Sequence, residues 1–137
     1  MATKPAPLPG AEGLWTRRLW MRCAAVSGCL AMIIWIWGNL SGNDLETRYF
    51  RLAAQIQFIH SMTCFGCATF MNLGARKARF APGFFLIGSF LLCGSLYLAP
   101  YYRGPVQFAA GCIGSAGLLV GWIVLIAAAG SIDRGDP

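Results

Sequence analysis

The sequence predicts an all-α polytopic membrane protein in which four transmembrane helices form an antiparallel bundle, with both termini on the same side. Of its 137 residues, 57% are hydrophobic and only 12% are charged, and the mean hydropathy is +0.58. These values lie outside the range of ordinary soluble proteins. Four apolar segments, each long enough to cross a bilayer, alternate with short polar or basic stretches. A chain of this length forms one domain.

The chain begins with a proline-rich stretch that has few apolar side chains, so residues 1–18 are predicted to form an extended arm. Tryptophans and arginines then alternate just before an apolar run, which is the composition of a membrane interface. The first crossing is predicted over residues 19–40.

The second helix is predicted over residues 44–73, after a run of turn-forming residues. Asn43 followed by Glu46 resembles a capping box with the asparagine as the N-cap. Residues 52–73 carry no ionisable side chain except His60 and the cysteines, and they are long enough to cross. Four side chains in this segment are spaced i, i+3, i+7 and i+10 and share one helix face: Gln57, His60, Cys64 and Cys67. This face, the polar seam, is predicted to meet protein rather than lipid.

The second half of the chain predicts two further helices. Residues 74–82 read as a short basic loop, and Pro82 suits the first turn of a third crossing over residues 83–99. Pro100 ends that helix and Pro105 starts the fourth, which runs to residue 130 and leaves 131–137 as a polar tail. Because so few residues link them, helices three and four are predicted to form an antiparallel hairpin.

The basic residues predict the orientation in the membrane. Eight of the 11 lysines and arginines fall on the side that holds both predicted termini, and three fall on the other side. Positive loops stay inside, so both termini are expected in the mitochondrial matrix, or in the cytoplasm of a bacterium. The residues expected to contact phospholipid head groups, those of cardiolipin among them, are Arg17, Arg18, Arg22, Arg76, Lys77 and Arg79.

Glycines predict where the helices approach one another closely, because small residues drive helix packing in lipid. The fourth helix carries a stripe of them that includes a GxxxG pair, and the first and third helices have small residues of their own. The glycines predicted to pack helices together are Gly28, Gly94, Gly114, Gly117 and Gly121.

His60 is the only histidine and lies near the middle of its segment, where an ionisable group suggests a function. No Asp or Glu falls within a crossing to form a proton relay with it, so we expect a neutral imidazole. Its expected hydrogen-bond partner is Gln57, Ser61, Ser95 or Tyr97. No catalytic residue is predicted.

Two alternatives use the polar seam. Gln57 and His60 could line the path of an independent small transporter or channel. His60, Cys64 and Cys67 could serve a metal or redox site, with Cys93 or Cys29 as a fourth ligand. The metal reading is weaker, because one helix rarely presents three converging ligands and no carboxylate is available to orient the histidine.

Four segments together resemble the transmembrane protein 256 family, also called domain of unknown function 423: AVSGCLA (25–31), QFIHSM (57–62), APGFFLIGSFLLCGSLYL (81–98) and GWIVL (121–125). The first helix departs from the family pattern, because residues 35–40 lack a histidine there. The resemblance implies a small bacterial inner-membrane or mitochondrial protein and no established activity.

The expected function is therefore structural. We expect a non-catalytic accessory subunit of a larger mitochondrial inner-membrane assembly, with a respiratory-chain complex or supercomplex as the leading expectation. Its expected partners are other membrane subunits and phospholipids. No cofactor or small-molecule substrate is expected. Nucleic acid is not expected either, since the basic residues lie between apolar segments and not on a polar domain.

Overall fold

A computed structural model describes residues 11–40, 43–130 and 132 of the chain, with side chains from Arg18 onward. The described residues form helices and connections without a β-strand, which confirms the all-α prediction. The elements in order are α1 (Ala11–Leu40), α2 (Asp44–Asn72), a 3-10 helix (Arg76–Phe80), α3 (Ala81–Leu98) and α4 (Pro105–Ala129).

The first helix is longer than predicted. It begins at Ala11, eight residues before the predicted start at Leu19, so the prediction of an extended arm is wrong for residues 11–18. The physical reason is that this stretch contains no proline and consists largely of residues compatible with a helix. The rest of the predicted arm, residues 1–10, and most of the predicted tail lie outside the described residues.

The second helix begins with the predicted asparagine cap. Asn43 is extended, and its side-chain oxygen accepts a hydrogen bond from the Leu45 amide at 3.0 Å. The Asn43 side-chain amide donates to the Glu46 carboxylate at 3.2 Å. In a capping box the glutamate would instead accept from the backbone N–H of the cap residue. Both interactions favour a helix start here.

The predicted basic loop contains a 3-10 helix, so the prediction of an irregular connection over residues 74–82 is wrong for Arg76–Phe80. Gly74 ends the preceding turn with a positive φ of 91°, a conformation that glycine adopts at no steric cost. A 3-10 helix repeats every three residues, and Ala75, Ala78 and Ala81 are fully buried at that spacing. The basic side chains between these alanines are consequently exposed.

Three described segments are long and apolar enough to cross a membrane: Arg18–Leu40, Arg76–Leu98 and Pro105–Ala129. α2 is not among them, since its 29 residues include an acidic and basic first part and the polar seam. The interior is made mostly of alanine, cysteine, glycine and serine, with Phe85 as the largest fully buried side chain. Large apolar side chains point outward, such as Phe90 at 79% exposure, which suits a lipid-facing surface.

The helices contact one another mainly in chain order. The extensive contacts join α1 to α2, α2 to α3 and α3 to α4, whereas contacts of α1 with α3 and of α2 with α4 are sparse. The 3-10 helix packs against α2 and α4. Because α1 and α3 make few contacts, a groove lies between them, with α2 beneath it.

Candidate functional site

Gln57 is the hub of a hydrogen-bond network that joins three helices. Its amide nitrogen donates to the backbone oxygen of Ser27 at 3.1 Å and lies 3.2 Å from the Ser27 hydroxyl. Its amide oxygen accepts from the Tyr97 hydroxyl at 2.8 Å. The side chain of one α2 residue therefore ties α1 to α3.

Ser61 extends this network one turn along α2. Its hydroxyl lies 2.9 Å from the Ser27 hydroxyl and 2.8 Å from the backbone oxygen of Gln57. Because each hydroxyl has one proton, both contacts form when Ser61 donates to the carbonyl and Ser27 donates to Ser61. Ser61 is 1% exposed, so the polar groups here satisfy one another inside the protein.

His60 occupies a different environment from Gln57. Its Nδ1 lies 2.8 Å from the backbone oxygen of Ile56, and a carbonyl only accepts, so the proton sits on Nδ1. The ring packs 5.7 Å from the Phe85 ring and 6.3 Å from the Trp122 ring, in contact with α3 and α4. The predicted partners Gln57, Ser61, Ser95 and Tyr97 are wrong, because a carbonyl one turn earlier on the same helix lies within reach.

The cysteines of the polar seam pack in the interior. Cys64 is buried with its sulfur 4.0 Å from the Pro82 backbone oxygen, and Cys67 is fully buried. Cys93 is also buried and donates to the Ala53 backbone oxygen at 3.2 Å, whereas Cys29 is exposed. Across the described residues, no three His, Cys, Asp or Glu side chains come together where they could hold a metal. The four side chains of the seam thus all turn inward, but toward different neighbours.

Two facing glycines bring the backbones of α3 and α4 into contact. A β-carbon at Gly114 would lie 2.5 Å from the Leu92 nitrogen and 2.7 Å from the Gly88 oxygen. One at Gly88 would lie 2.9 Å from the Gly114 oxygen. Real side chains do not make such contacts with backbone, so only glycine fits at this crossing.

The other predicted packing glycines differ in how much room surrounds them. A β-carbon at Gly121 would lie 2.8 Å from the Phe85 ring, while one at Gly117 or Gly28 would make ordinary contacts at 3.5 and 3.6 Å. At Gly94 it would meet nothing within 4 Å, so the prediction that Gly94 packs helices together is wrong. Gly94 instead lies on the wall of the groove.

The groove between α1 and α3 is a cavity of about 670 Å³ that the sequence did not reveal. It opens on the outer surface, and its lining is almost entirely apolar. Gln57 and Cys93 lie among its lining residues, and Trp20 and Arg22 line it near the start of the first apolar segment. We call this cavity the α1/α3 groove.

The predicted head-group residues with described side chains are all exposed. Arg18 and Arg22 lie on α1, and the 3-10 helix carries Arg76, Lys77 and Arg79. The guanidinium of Arg79 sits 4.7 Å from the centre of the Phe80 ring. The Arg17 side chain lies outside the described residues.

Long apolar helices, an interior of small residues and large apolar side chains on the outside define an integral membrane protein of the α-helical class. A family model described as "Protein of unknown function (DUF423)" matches residues 38–114. This match covers more than half of the chain, so the chain belongs to the DUF423 family, and the resemblance in the sequence is confirmed. No curated protein and no solved structure matches the chain.

The matched residues include Gln57, Tyr97 and the Gly88–Gly114 contact. They do not include Ser27 or the α1 wall of the α1/α3 groove. The family match therefore spans the contacts of α2 with α3 and, between α3 and α4, the Gly88–Gly114 contact, while the groove also depends on a helix that lies mostly outside the match.

Proposed function

We propose that this protein is a non-catalytic accessory subunit of a larger membrane assembly, and that the assembly is a respiratory-chain complex or supercomplex. The observation that carries the proposal is the hydrogen bonding of polar side chains between α1, α2 and α3. Gln57 bonds both Ser27 and Tyr97, so these groups act as internal structural contacts that join three helices. Polar groups that bond across helices in this way stabilise a membrane bundle.

The surface of α1 supports the same proposal. Only 17% of its membrane segment is buried within the chain, compared with 39% for the segment that contains α3. Its second half exposes two tryptophans, Trp35 at 38% and Trp37 at 67%. Tryptophan is enriched at protein interfaces and at the membrane boundary, so this face suits contact with neighbouring subunits and lipid.

The proposed topology has four crossings in an antiparallel bundle, with α2 as the least apolar of the four. Its support is that successive helices contact each other in opposite chain order. For each pair of neighbouring helices, moving forward along the first helix means moving backward along the second. The contacts are Ser27–Gln57 and Gly38–Thr47 between α1 and α2, Ala53–Cys93 and Cys64–Pro82 between α2 and α3, and Gly88–Gly114 and Ser95–Gln107 between α3 and α4. Six such contacts favour a hairpin between each pair of neighbours.

The proposed location is the mitochondrial inner membrane with both termini in the matrix, or the bacterial inner membrane with both termini in the cytoplasm. The exposed Arg76, Lys77 and Arg79 support this orientation, because positive charge is retained on that side.

Cysteine labelling tests the topology. Lys77→Cys is expected to react with a membrane-impermeant maleimide from the matrix or cytoplasmic side only, and Arg103→Cys from the opposite side only. The parent chain, with its six native cysteines, sets the background. Reaction of both variants from the same side would contradict the four crossings.

Native gel electrophoresis tests the accessory role. Membranes that contain a tagged copy of the chain are solubilised in mild detergent, and the tag is expected in a band of high mass with respiratory-chain subunits in fixed stoichiometry. Deletion of the gene is expected to reduce that band while substrate oxidation by the remaining complex is retained. Migration as a lone small particle would overturn the proposal.

A further inference from the structure

We propose that the α1/α3 groove is a binding site for an anionic phospholipid, with an acyl chain along the groove and the phosphate on Arg22. The inference goes beyond the accessory role, because it concerns a specific ligand and does not depend on neighbouring subunits.

The walls of the groove suit a hydrocarbon chain. α1 contributes Val26, Leu30 and Ile34, and α3 contributes Leu86 and Phe90. The volume of about 670 Å³ is in the range of sites that enclose small molecules, roughly 300–1,000 Å³. From Trp20 to Ile34 the groove follows α1 for about 20 Å at a rise of about 1.5 Å per residue. An elongated, slender and apolar ligand fits this shape.

The polar groups in the groove do not require a polar ligand. Gln57 uses its nitrogen on Ser27 and its oxygen on Tyr97, and Cys93 donates to Ala53. A polar group that already has its partner in the protein can lie against hydrocarbon without losing a hydrogen bond. The middle of the groove therefore accepts a chain of methylenes, and the polar end of the ligand must lie elsewhere.

The polar end is fixed by Arg22, which lines the groove. The Arg22 guanidinium is exposed and forms no ion pair within the described residues. Arg18 lies one turn away on the same face, and adds positive charge near the start of the apolar segment. The Trp20 indole N–H is buried and has no acceptor in the described part of the chain. The site thus lacks a negative charge at this end, while the buried Trp20 N–H lies below the surface that a ligand would contact.

A phospholipid supplies the missing negative charge near the start of the apolar segment. Its phosphate matches the arginine. A transmembrane helix of a partner protein would need an acidic side chain near the membrane boundary, and acidic side chains within such segments are rare. The charge of the site therefore favours lipid over a helix as the occupant.

Lipid binding to the purified full-length chain tests the head-group contact. Native mass spectrometry in detergent measures the retention of dioleoyl phosphatidylglycerol and of dioleoyl phosphatidylcholine. The parent chain is expected to prefer the anionic lipid. Arg22→Gln is expected to bind phosphatidylglycerol about fivefold more weakly, as for the loss of one basic contact at a membrane surface. Arg48→Gln, an exposed arginine on α2 that does not line the groove, is the matched control and is expected to change the affinity little.

A second pair of variants tests the acyl-chain position. Gly94→Leu places a side chain in the groove where a β-carbon meets nothing, so the helix should fold normally and retention of both lipids should fall. Gly66→Leu adds the same side chain at an equally open site outside the groove, and is expected to leave retention unchanged. Equal loss in Arg22→Gln and Arg48→Gln, equal behaviour of Gly94→Leu and Gly66→Leu, or no preference for the anionic lipid would each overturn the proposal. A polypeptide segment bound in the groove in place of lipid would also overturn the proposal.

Discussion

The α3–α4 contact and the α1/α3 groove show two ways in which neighbouring helices are spaced. Between α3 and α4, the facing positions Gly88 and Gly114 have no side chains, and the backbones touch. Between α1 and α3, large side chains such as Leu30 and Phe90 face a cavity. In the first case packing sets the distance between helices, and in the second it leaves an opening.

The difference between the tight and the open helix pair shows that α1 is joined to the bundle by hydrogen bonds as well as by its packing on α2. Where backbones approach, van der Waals contact alone can join helices in lipid. Where α1 and α3 stay apart, Gln57 reaches both helices from α2 and bridges them. The tight contact is expected to be sensitive to any added atom, and the open side to the loss of a polar group.

The largest effect is expected for Gly114→Ala. The added methyl would meet backbone at 2.5–2.7 Å, so α3 and α4 must separate, at a cost of about 1–3 kcal/mol in the free energy of unfolding. Thermal unfolding in detergent measures the change. Gly94→Ala is the control, because its methyl meets nothing within 4 Å and stability should hold or rise slightly. Similar stability for both variants would mean that α3 and α4 are not in backbone contact.

A smaller effect is expected for Gln57→Leu. The substitution removes the bonds to Ser27 and Tyr97 and costs about 1 kcal/mol, the scale of hydrogen bonds between membrane helices. Gln55→Leu is the control, since the Gln55 side chain is exposed and forms no hydrogen bond with the described residues. Chemical unfolding in mixed micelles gives both values. If the control loses as much stability, the network does not hold α1 in place.

The smallest effect is expected in the connection between α3 and α4. Reduced hydration raises the pKa of Tyr101, and the charge of Glu46 and a hydrogen bond to it raise the pKa further. The proton is therefore held more tightly in the folded state. The resulting stabilisation is complete below the ordinary tyrosine pKa of about 10 and is lost as the pH rises through the folded value.

Glu46→Gln is expected to lower the pKa of Tyr101 toward its ordinary value. An ultraviolet absorbance titration measures it, and Tyr101→Phe identifies which part of the signal belongs to this residue. An unchanged titration in Glu46→Gln would show that the carboxylate does not act on the phenol.

The sequence predicted the elements well because each has a local cause. Asn43 caps α2, and Pro82 and Pro105 lie at the first turns of α3 and α4, where a missing N–H costs little. The start of α1 differs from the prediction because the proline-rich composition ends at Pro9, and the residues after it are compatible with a helix.

The site was only partly predictable, because spacing along one helix does not tell which neighbour a side chain meets. Gln57 and His60 share a face of α2, yet one bonds Ser27 and Tyr97 while the other packs on Phe85 and Trp122. A glycine in the sequence likewise shows where a close helix contact is possible, but not whether another helix lies there. Gly114 meets backbone, whereas Gly94, on the helix opposite, faces the α1/α3 groove.

The buried alanines in and on either side of the 3-10 helix also limit how this connection can change. Surface loops commonly tolerate insertions, but here Ala75, Ala78 and Ala81 face the bundle at intervals of three. One inserted residue would rotate everything after it by about 120° and turn Lys77 or Arg79 toward the interior. The length of this short segment is thereby tied to the direction in which its positive charges point, and through them to the proposed orientation of the chain in its membrane.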